Sequence, residues 1–154
     1  MVGRYLMREL LLKGHKLAVL VRPTKQQMVR ERIEAILQMW EDTLGHRLPR
    51  PVLLTGDVTQ INLGLSPTQL GWSEKFLDQI IHGAAVLKFQ SASREFEPWK
   101  TNLGGTQNVL DFSRHCNIRD FHYISTAYVC GEREATVYEN DLDVNQTFRN
   151  DYEV

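Results

Sequence analysis

Residues 122–131 read His-Tyr-Ile-Ser-Thr-Ala-Tyr-Val-Cys-Gly. The apolar pair Tyr123-Ile124 runs directly into Ser125-Thr126, so the pattern predicts a buried strand that ends in two hydroxyl side chains. Open α/β sheets keep their ligand crevice at the carboxyl ends of their strands. A hydroxyl at that edge is suited to hold a carbonyl oxygen, although Ser and Thr at strand ends also serve as simple capping or turn residues. Ser125 and Thr126 are therefore candidate site residues.

A second candidate lies near the carboxyl end, in the run Asn150-Asp151-Tyr152-Glu153. Asn and Asp are preferred where helices begin, so Tyr152 is predicted to lie early on a helix. Its phenol is then able to reach the same crevice as a proton donor.

Composition limits the class of protein. The chain has 154 residues with 42% hydrophobic and 24% charged residues, which fits one ordinary globular domain. Its 18 basic and 19 acidic residues are interspersed, so nucleic acids and anionic membranes are not expected as partners. The apolar run Leu17–Val21 is too short to span a bilayer, and we expect a cytoplasmic protein. Cys116 and Cys130 form no metal-binding motif, so no metal site is expected. The sequence leaves the oligomeric state open.

Helix and strand signals alternate along the chain, which is the signature of an α/β fold. Continuous apolar runs such as Leu17–Val21 are typical of parallel strands covered by helices on both faces. We find no internal linker and predict one domain over residues 1–154. The predicted strands are 16–21, 52–54, 79–86 and 121–126, and the predicted helices are 4–13, 24–44, 67–78 and 97–115.

The amino end suggests a nucleotide-binding turn. Gly3 precedes Arg22 by 19 residues, close to the separation of about 20 residues between the Gly-rich turn of dinucleotide-binding folds and their ribose-reading residue. Arg22 then offers a guanidinium suited to the adenosine 2′-phosphate, which favours NADPH over NADH. The alternative is that Gly3 is a flexible terminal residue and Arg22 a solvated residue at a strand end.

Seven motifs in this order resemble the extended short-chain dehydrogenase/reductase family, and within it the thioester reductase-like branch. They are Gly3-Arg4-Tyr5-Leu6, Val19-Leu20-Val21-Arg22-Pro23, Gly56-Asp57-Val58, His82-Gly83-Ala84-Ala85-Val86, Asn102-Leu103-Gly104-Gly105-Thr106, Ser125-Thr126-Ala127-Tyr128-Val129-Cys130-Gly131 and Asn150-Asp151-Tyr152-Glu153. The implied fold is α/β, a Rossmann-like doubly wound parallel sheet.

The resemblance implies roles at matching positions. Asp57 would hydrogen-bond the adenine amino group, and Val58 would pack on the adenine ring. Ala84 and Ala85 would line the strand end beside the adenosine half of the cofactor.

Two further positions match supporting residues of the family. His82 is either a satisfied structural histidine or a proton shuttle, and we favour the structural role. Asn102 matches a helix asparagine that ties neighbouring backbone in place.

For the chemistry, Thr126 corresponds to the family's catalytic Ser/Thr, Tyr152 to its catalytic tyrosine, and Ser125 is the neighbouring hydroxyl. The family also uses a lysine four residues after the tyrosine, which here would be position 156. The family's first strand would lie between the strands at 17–21 and 80–84, and we expect a gap there. We interpret the chain as an incomplete domain, lacking the first strand and the C-terminal part, and expect it to be inactive alone.

The function implied by the resemblance is NADPH-dependent reduction of an acyl thioester, bound to a carrier protein or coenzyme A, to an aldehyde or alcohol. A sugar-nucleotide epimerase or dehydratase of the same family is an alternative enzyme. A non-catalytic NADP-binding or sensor protein is the alternative from a different class.

Overall fold

The computed structural model of this chain describes residues 2–89 and 93–154. These residues divide into two compact units, Met1–Phe76 and Leu77–Val154. They are called here the amino-terminal unit and the carboxyl-terminal unit.

The amino-terminal unit alternates helix and strand, as the sequence predicts. The parallel pairing of its two strands places Val21 opposite Thr55, so both strands end at the same edge. A helix connects them, which makes a βαβ unit. Its elements are α1 (Val2–Leu12), β1 (Ala18–Val21), α2 (Val29–Leu44), β2 (Val52–Thr55) and α3 (Pro67–Phe76).

The core of the amino-terminal unit is made by one face of α2, as its 3.6-residue spacing of apolar side chains predicts. Ile33, Leu37 and Trp40 are buried. They pack in one cluster with Met7 and Leu11 of α1.

Helix α2 begins later than predicted, at Val29 instead of Thr24. The Glu31 carboxylate accepts the Met28 backbone N–H at 3.1 Å, which satisfies a donor that the start of a helix leaves free. The preceding residues form bends, in which the Thr24 hydroxyl donates to the carbonyl of Gln27. The side-chain cap at Met28 thus sets the boundary that periodicity alone misplaced.

The carboxyl-terminal unit contains a second βαβ unit, in which His82 pairs with Tyr123. Its core includes Val109 and Phe112 of the last helix, together with Cys116 and Ile118 beyond it. Its elements are β3 (Gln79–His82), a π-helical turn (Lys100–Gly105), α4 (Thr106–His115), β4 (Asp120–Tyr123) and a 3-10 turn (Ala127–Cys130).

The predicted helix 97–115 is therefore only partly α-helical. Leu103, a predicted core residue, is exposed. It lies out of phase with Val109, and the inward positions of the π-helical turn are Thr101 and Gly105 instead.

The four strands form two separate parallel pairs, β1-β2 and β3-β4. This pairing agrees with the expected gap between the strands at 17–21 and 80–84. Both strands of the second pair end sooner than predicted, so Ala84, Ala85, Ser125 and Thr126 follow the strands rather than lie on them.

Among residues 2–89 and 93–154, no helix is both long enough and apolar enough to cross a bilayer.

Candidate active site

In the amino-terminal unit, the predicted nucleotide-binding residues follow the ends of β1 and β2. The Gly56 N–H donates to the carbonyl of Val21 at 3.2 Å, which carries the pairing one residue past the strands. Arg22 and Asp57 therefore leave the same edge of this pair. This is the carboxyl edge, where parallel α/β sheets bind ligands.

Gly56 shapes the loop that presents Asp57. A Cβ at position 56 would stand 2.2 Å from the carbonyl oxygen of Leu63, so no other residue fits without a backbone shift. That same oxygen accepts the Asp57 N–H at 2.8 Å. Close packing of the loop against β2 therefore requires glycine here.

The Asp57 carboxylate is oriented by its neighbour. Its Oδ1 accepts two hydrogen bonds from Thr59, one from the backbone N–H and one from the hydroxyl, each at 2.9 Å. Within the described part of the chain, Oδ2 has no hydrogen-bond donor beside it, so one oxygen stays free to accept a ligand N–H. Val58, the next residue, is half-buried.

Arg22 is exposed, and its own carbonyl accepts a hydrogen bond from the Arg32 guanidinium at 2.6 Å. Arg32 on α2 therefore brings a second positive charge to the end of β1, which the sequence pattern did not indicate. Gly3 lies in the first turn of α1, and a Cβ there would meet no atom within 4 Å.

In the carboxyl-terminal unit, the ends of β3 and β4 are tied together by the Ile124 N–H, which donates to the carbonyl of His82 at 2.8 Å. The exposed Ala84 and Ala85 leave β3 at the same edge at which Ser125 and Thr126 leave β4. The structure thus brings these two predicted segments to one carboxyl edge.

Asn102 supports the segment after β3, as the resemblance implies. Its Oδ1 accepts the Val86 N–H at 2.8 Å, and its Nδ2 donates to the Val86 carbonyl at 3.1 Å. The predicted supporting role of Asn102 is confirmed by these two bonds.

His82 is buried and stacks on Tyr123 with ring centroids 5.4 Å apart. The Thr106 hydroxyl spends its only proton on the Asn102 carbonyl at 2.6 Å, so it accepts from the His82 Nε2–H at 3.0 Å. Burial lowers the pKa of His82, which keeps the ring neutral. These contacts match the structural role that the sequence analysis favoured.

Tyr152 lies in a single turn rather than on a helix. Asn150 caps this turn, since its Oδ1 accepts the Tyr152 N–H at 3.0 Å. The buried Glu153 accepts the Arg149 N–H at 3.0 Å and the Asn150 side-chain amide at 3.1 Å. The predicted helix start is therefore present as one capped turn.

Thr126 and Tyr152 both contact Tyr128. Thr126 Oγ1 accepts the Tyr128 N–H at 3.3 Å, and the rings of Tyr128 and Tyr152 meet edge to face at 6.3 Å. Phe89 also meets the Tyr152 ring edge to face, at 5.3 Å. The sequence analysis gave Phe89 and Tyr128 no role, and their only signal was an aromatic residue next to each site motif.

Comparison with known proteins places this arrangement in a family. The NAD-binding family model described as male sterility protein matches residues 1–153. A protein of the linear gramicidin synthase of Brevibacillus parabrevis is 26% identical over 152 residues, covering 94% of this chain and 3% of that protein. Fatty acyl-CoA reductase 1 of Arabidopsis thaliana is 32% identical over 123 residues, covering 74% of this chain and 23% of that protein.

The structure is also similar to solved reductase domains. The terminal R domain from the myxalamid PKS-NRPS biosynthetic pathway superposes with a TM-score of 0.79 at 26% identity, covering 99% of this chain and 39% of that domain. The R domain of a nonribosomal peptide synthetase from Mycobacterium tuberculosis gives a TM-score of 0.61 at 25% identity, covering 82% of this chain and 31% of that domain. The chain thus spans well under half of each of these relatives, and its fold is that of their Rossmann-like α/β domains. It belongs to the male sterility protein family of NAD-binding proteins, in the thioester reductase-like branch of the extended short-chain dehydrogenase/reductases.

Proposed function

We propose that this chain supplies nucleotide-binding and catalytic residues of an NADPH-dependent reductase. Its substrate is an acyl thioester, carried by coenzyme A or by the phosphopantetheine of a carrier protein, and its product is an aldehyde or alcohol. The observation that carries the proposal is the placement of Thr126 and Tyr152 against one residue, Tyr128, in a chain matched by the family over residues 1–153. The names of the relatives, fatty acyl-CoA reductase among them, support a thioester substrate.

The residues present fit the nucleotide. Arg22 offers an exposed guanidinium for the 2′-phosphate, and Asp57 offers a carboxylate oxygen for the adenine amino group. The small, exposed Ala84 and Ala85 leave space beside the adenosine half, and Gly3 leaves the first turn of α1 free of a side chain. Val58 and Ser125 complete the proposed cofactor contacts.

Bound NADPH supplies the hydride that reduces the carbonyl carbon. Tyr152 donates a proton to the carbonyl oxygen as charge develops on it, which is the role of a general acid. Thr126 holds the same oxygen through its hydroxyl, so the two residues stabilise one developing charge.

The solved R domain that superposes on nearly the whole chain supports assigning both units to one NAD(P)-binding domain. We place this enzyme in the cytoplasm, where free thiols such as those of Cys116 and Cys130 persist.

The test is a hydride-transfer assay on the natural protein that contains this sequence, with NADPH and an acyl-coenzyme A. Tyr152→Phe should lower turnover by on the order of 10²-fold or more while NADPH affinity is retained. Thr126→Ala should also lower turnover, and the double variant should be little worse than the worse single variant because both hydroxyls serve one oxygen. Tyr138→Phe is the matched control, an exposed tyrosine outside the site. Near-normal turnover of Tyr152→Phe would reject the assignment and favour the nucleotide-binding or sensor protein.

A further inference from the structure

Tyr128 contacts both of the proposed catalytic residues through different parts of itself. Its backbone N–H donates to Thr126 Oγ1 at 3.3 Å, and its ring meets the Tyr152 ring at 6.3 Å with an interplanar angle of 68°. A change at Tyr128 is therefore felt by both hydroxyl groups.

The backbone contact determines what the Thr126 hydroxyl is able to do. A threonine hydroxyl carries one proton and accepts at its lone pairs. Since Oγ1 accepts from Tyr128, its proton is left for another acceptor, and residues 2–89 and 93–154 provide none. Thr126 is thus prepared as a donor, which is what a substrate carbonyl oxygen requires.

The ring contact restrains Tyr152 from the side. Edge-to-face geometry is the arrangement that aromatic pairs favour, and Tyr152 has it with both Tyr128 and Phe89. The capped turn at Asn150 fixes the Tyr152 backbone. The rings therefore limit the remaining freedom, which is the direction of the phenol.

The contribution of these rings to the core is small. Tyr128 is 57% exposed and Phe89 is 53% exposed, so neither is held mainly by burial. The turn that carries Tyr128 is instead anchored behind it. Gly131 has φ of 61° and approaches the Thr147 carbonyl so closely that a Cβ would lie 2.2 Å from its oxygen, and that oxygen also accepts the Glu132 N–H at 2.9 Å.

We propose that Tyr128 is a positioning residue, which aligns the Thr126 and Tyr152 hydroxyls on one carbonyl oxygen of an acyl thioester. This inference rests on the proposed function. Tyr128 itself transfers no proton, because its ring and its amide, rather than its phenol, make the two contacts.

The experiment measures the carbonyl stretch of butyryl-coenzyme A, labelled with ¹³C at the thioester carbonyl, when bound to the 154-residue chain without nicotinamide nucleotide. Hydrogen bonds from two hydroxyls polarise the carbonyl, so the band of the bound thioester should move to lower frequency. Tyr152→Phe should lose part of this shift. Tyr128→Leu should lose the same part, with little change in the affinity for butyryl-coenzyme A, and the double variant should lose no more.

Two variants separate positioning from a general effect on structure. Tyr128→Phe keeps the amide and the ring, so it should keep the full shift. Tyr138→Leu removes an equally exposed tyrosine whose N–H also donates to a side-chain oxygen, of Asp141, and it should change nothing. If circular dichroism shows that Tyr128→Leu is unfolded, Tyr128→Gln removes the ring with a residue suited to an exposed site.

The outcomes distinguish the two proposals. A full shift in the ring-less variants, together with a reduced shift in Tyr152→Phe, would overturn the positioning role and leave the proposed function standing. No shift in the unsubstituted chain, or none lost in Tyr152→Phe, would overturn both.

Discussion

The side chain of Asn102 pairs with both backbone groups of Val86, accepting from its N–H at 2.8 Å and donating to its carbonyl at 3.1 Å. The main-chain carbonyl of Asn102 in turn accepts from Thr106, which receives the His82 Nε2–H. One asparagine thereby connects the end of β3, the start of α4 and the segment that carries Ala84 and Ala85.

Removing this link should destabilise the carboxyl-terminal unit. Asn102→Ala leaves the N–H and carbonyl of the half-buried Val86 without partners, and we expect a loss of about 1–3 kcal/mol in the free energy of unfolding. Asn102→Asp keeps the acceptor and loses the donor, so its loss should be intermediate. Urea denaturation followed by circular dichroism measures both, and equal stability of all three proteins would contradict the role of the pair.

His82 should make stability depend on pH. Burial lowers its pKa below the ordinary value of 6.5, so the folded chain holds the neutral ring while the unfolded chain takes up a proton at higher pH. The stabilisation is therefore complete above pH 6.5 and is lost as pH falls from there through the lower folded pKa. His82→Gln should reduce this slope in the urea midpoint. The exposed His122, changed to Gln, is the control and should leave it.

Glu41 should act in a more acidic range. Its carboxylate is buried and accepts hydrogen bonds from the Arg50 guanidinium and from the Leu48 N–H at 2.7 Å, which lower its pKa from 4.5 to about 2. Its stabilising effect is present above pH 4.5 and disappears as pH falls towards 2. Glu41→Gln should flatten the decline of the urea midpoint between these values. Glu34→Gln, which changes a more exposed partner of Arg50 on the same helix, should flatten it less.

Arg22 should set the preference between the two nicotinamide cofactors. Arg22→Asp replaces a charged hydrogen bond by repulsion, and we expect NADPH binding to weaken relative to NADH by roughly 1–3 kcal/mol. Isothermal titration with both nucleotides measures the ratio of affinities. Arg30→Asp makes the same charge change on an exposed face of α2 and should preserve that ratio. An unchanged ratio in Arg22→Asp would show that Arg22 has no part in reading the 2′-phosphate.

Patterns confined to neighbouring residues were predicted well. The buried face of α2 follows from the 3.6-residue spacing of Ile33, Leu37 and Trp40, because one helix face must pack against β1 and α1. Contacts between distant residues were not predicted. The ion pair of Glu41 with Arg50, and the contacts of Tyr152 with Phe89 and Tyr128, depend on how the chain returns on itself, which no local pattern records.

The sequence by itself determined the order of helices and strands, the family and the identity of the candidate hydroxyls, because periodicity and motif spacing are properties of the linear chain. The tertiary structure decided where the strands end, since β3 and β4 pair only as far as His82 and Tyr123. It also decided that Thr126 and Tyr152 meet at Tyr128, because the turn after Thr126 and the capped turn at Asn150 are held by hydrogen bonds between residues far apart in sequence, such as that of the Glu132 N–H to the Thr147 carbonyl.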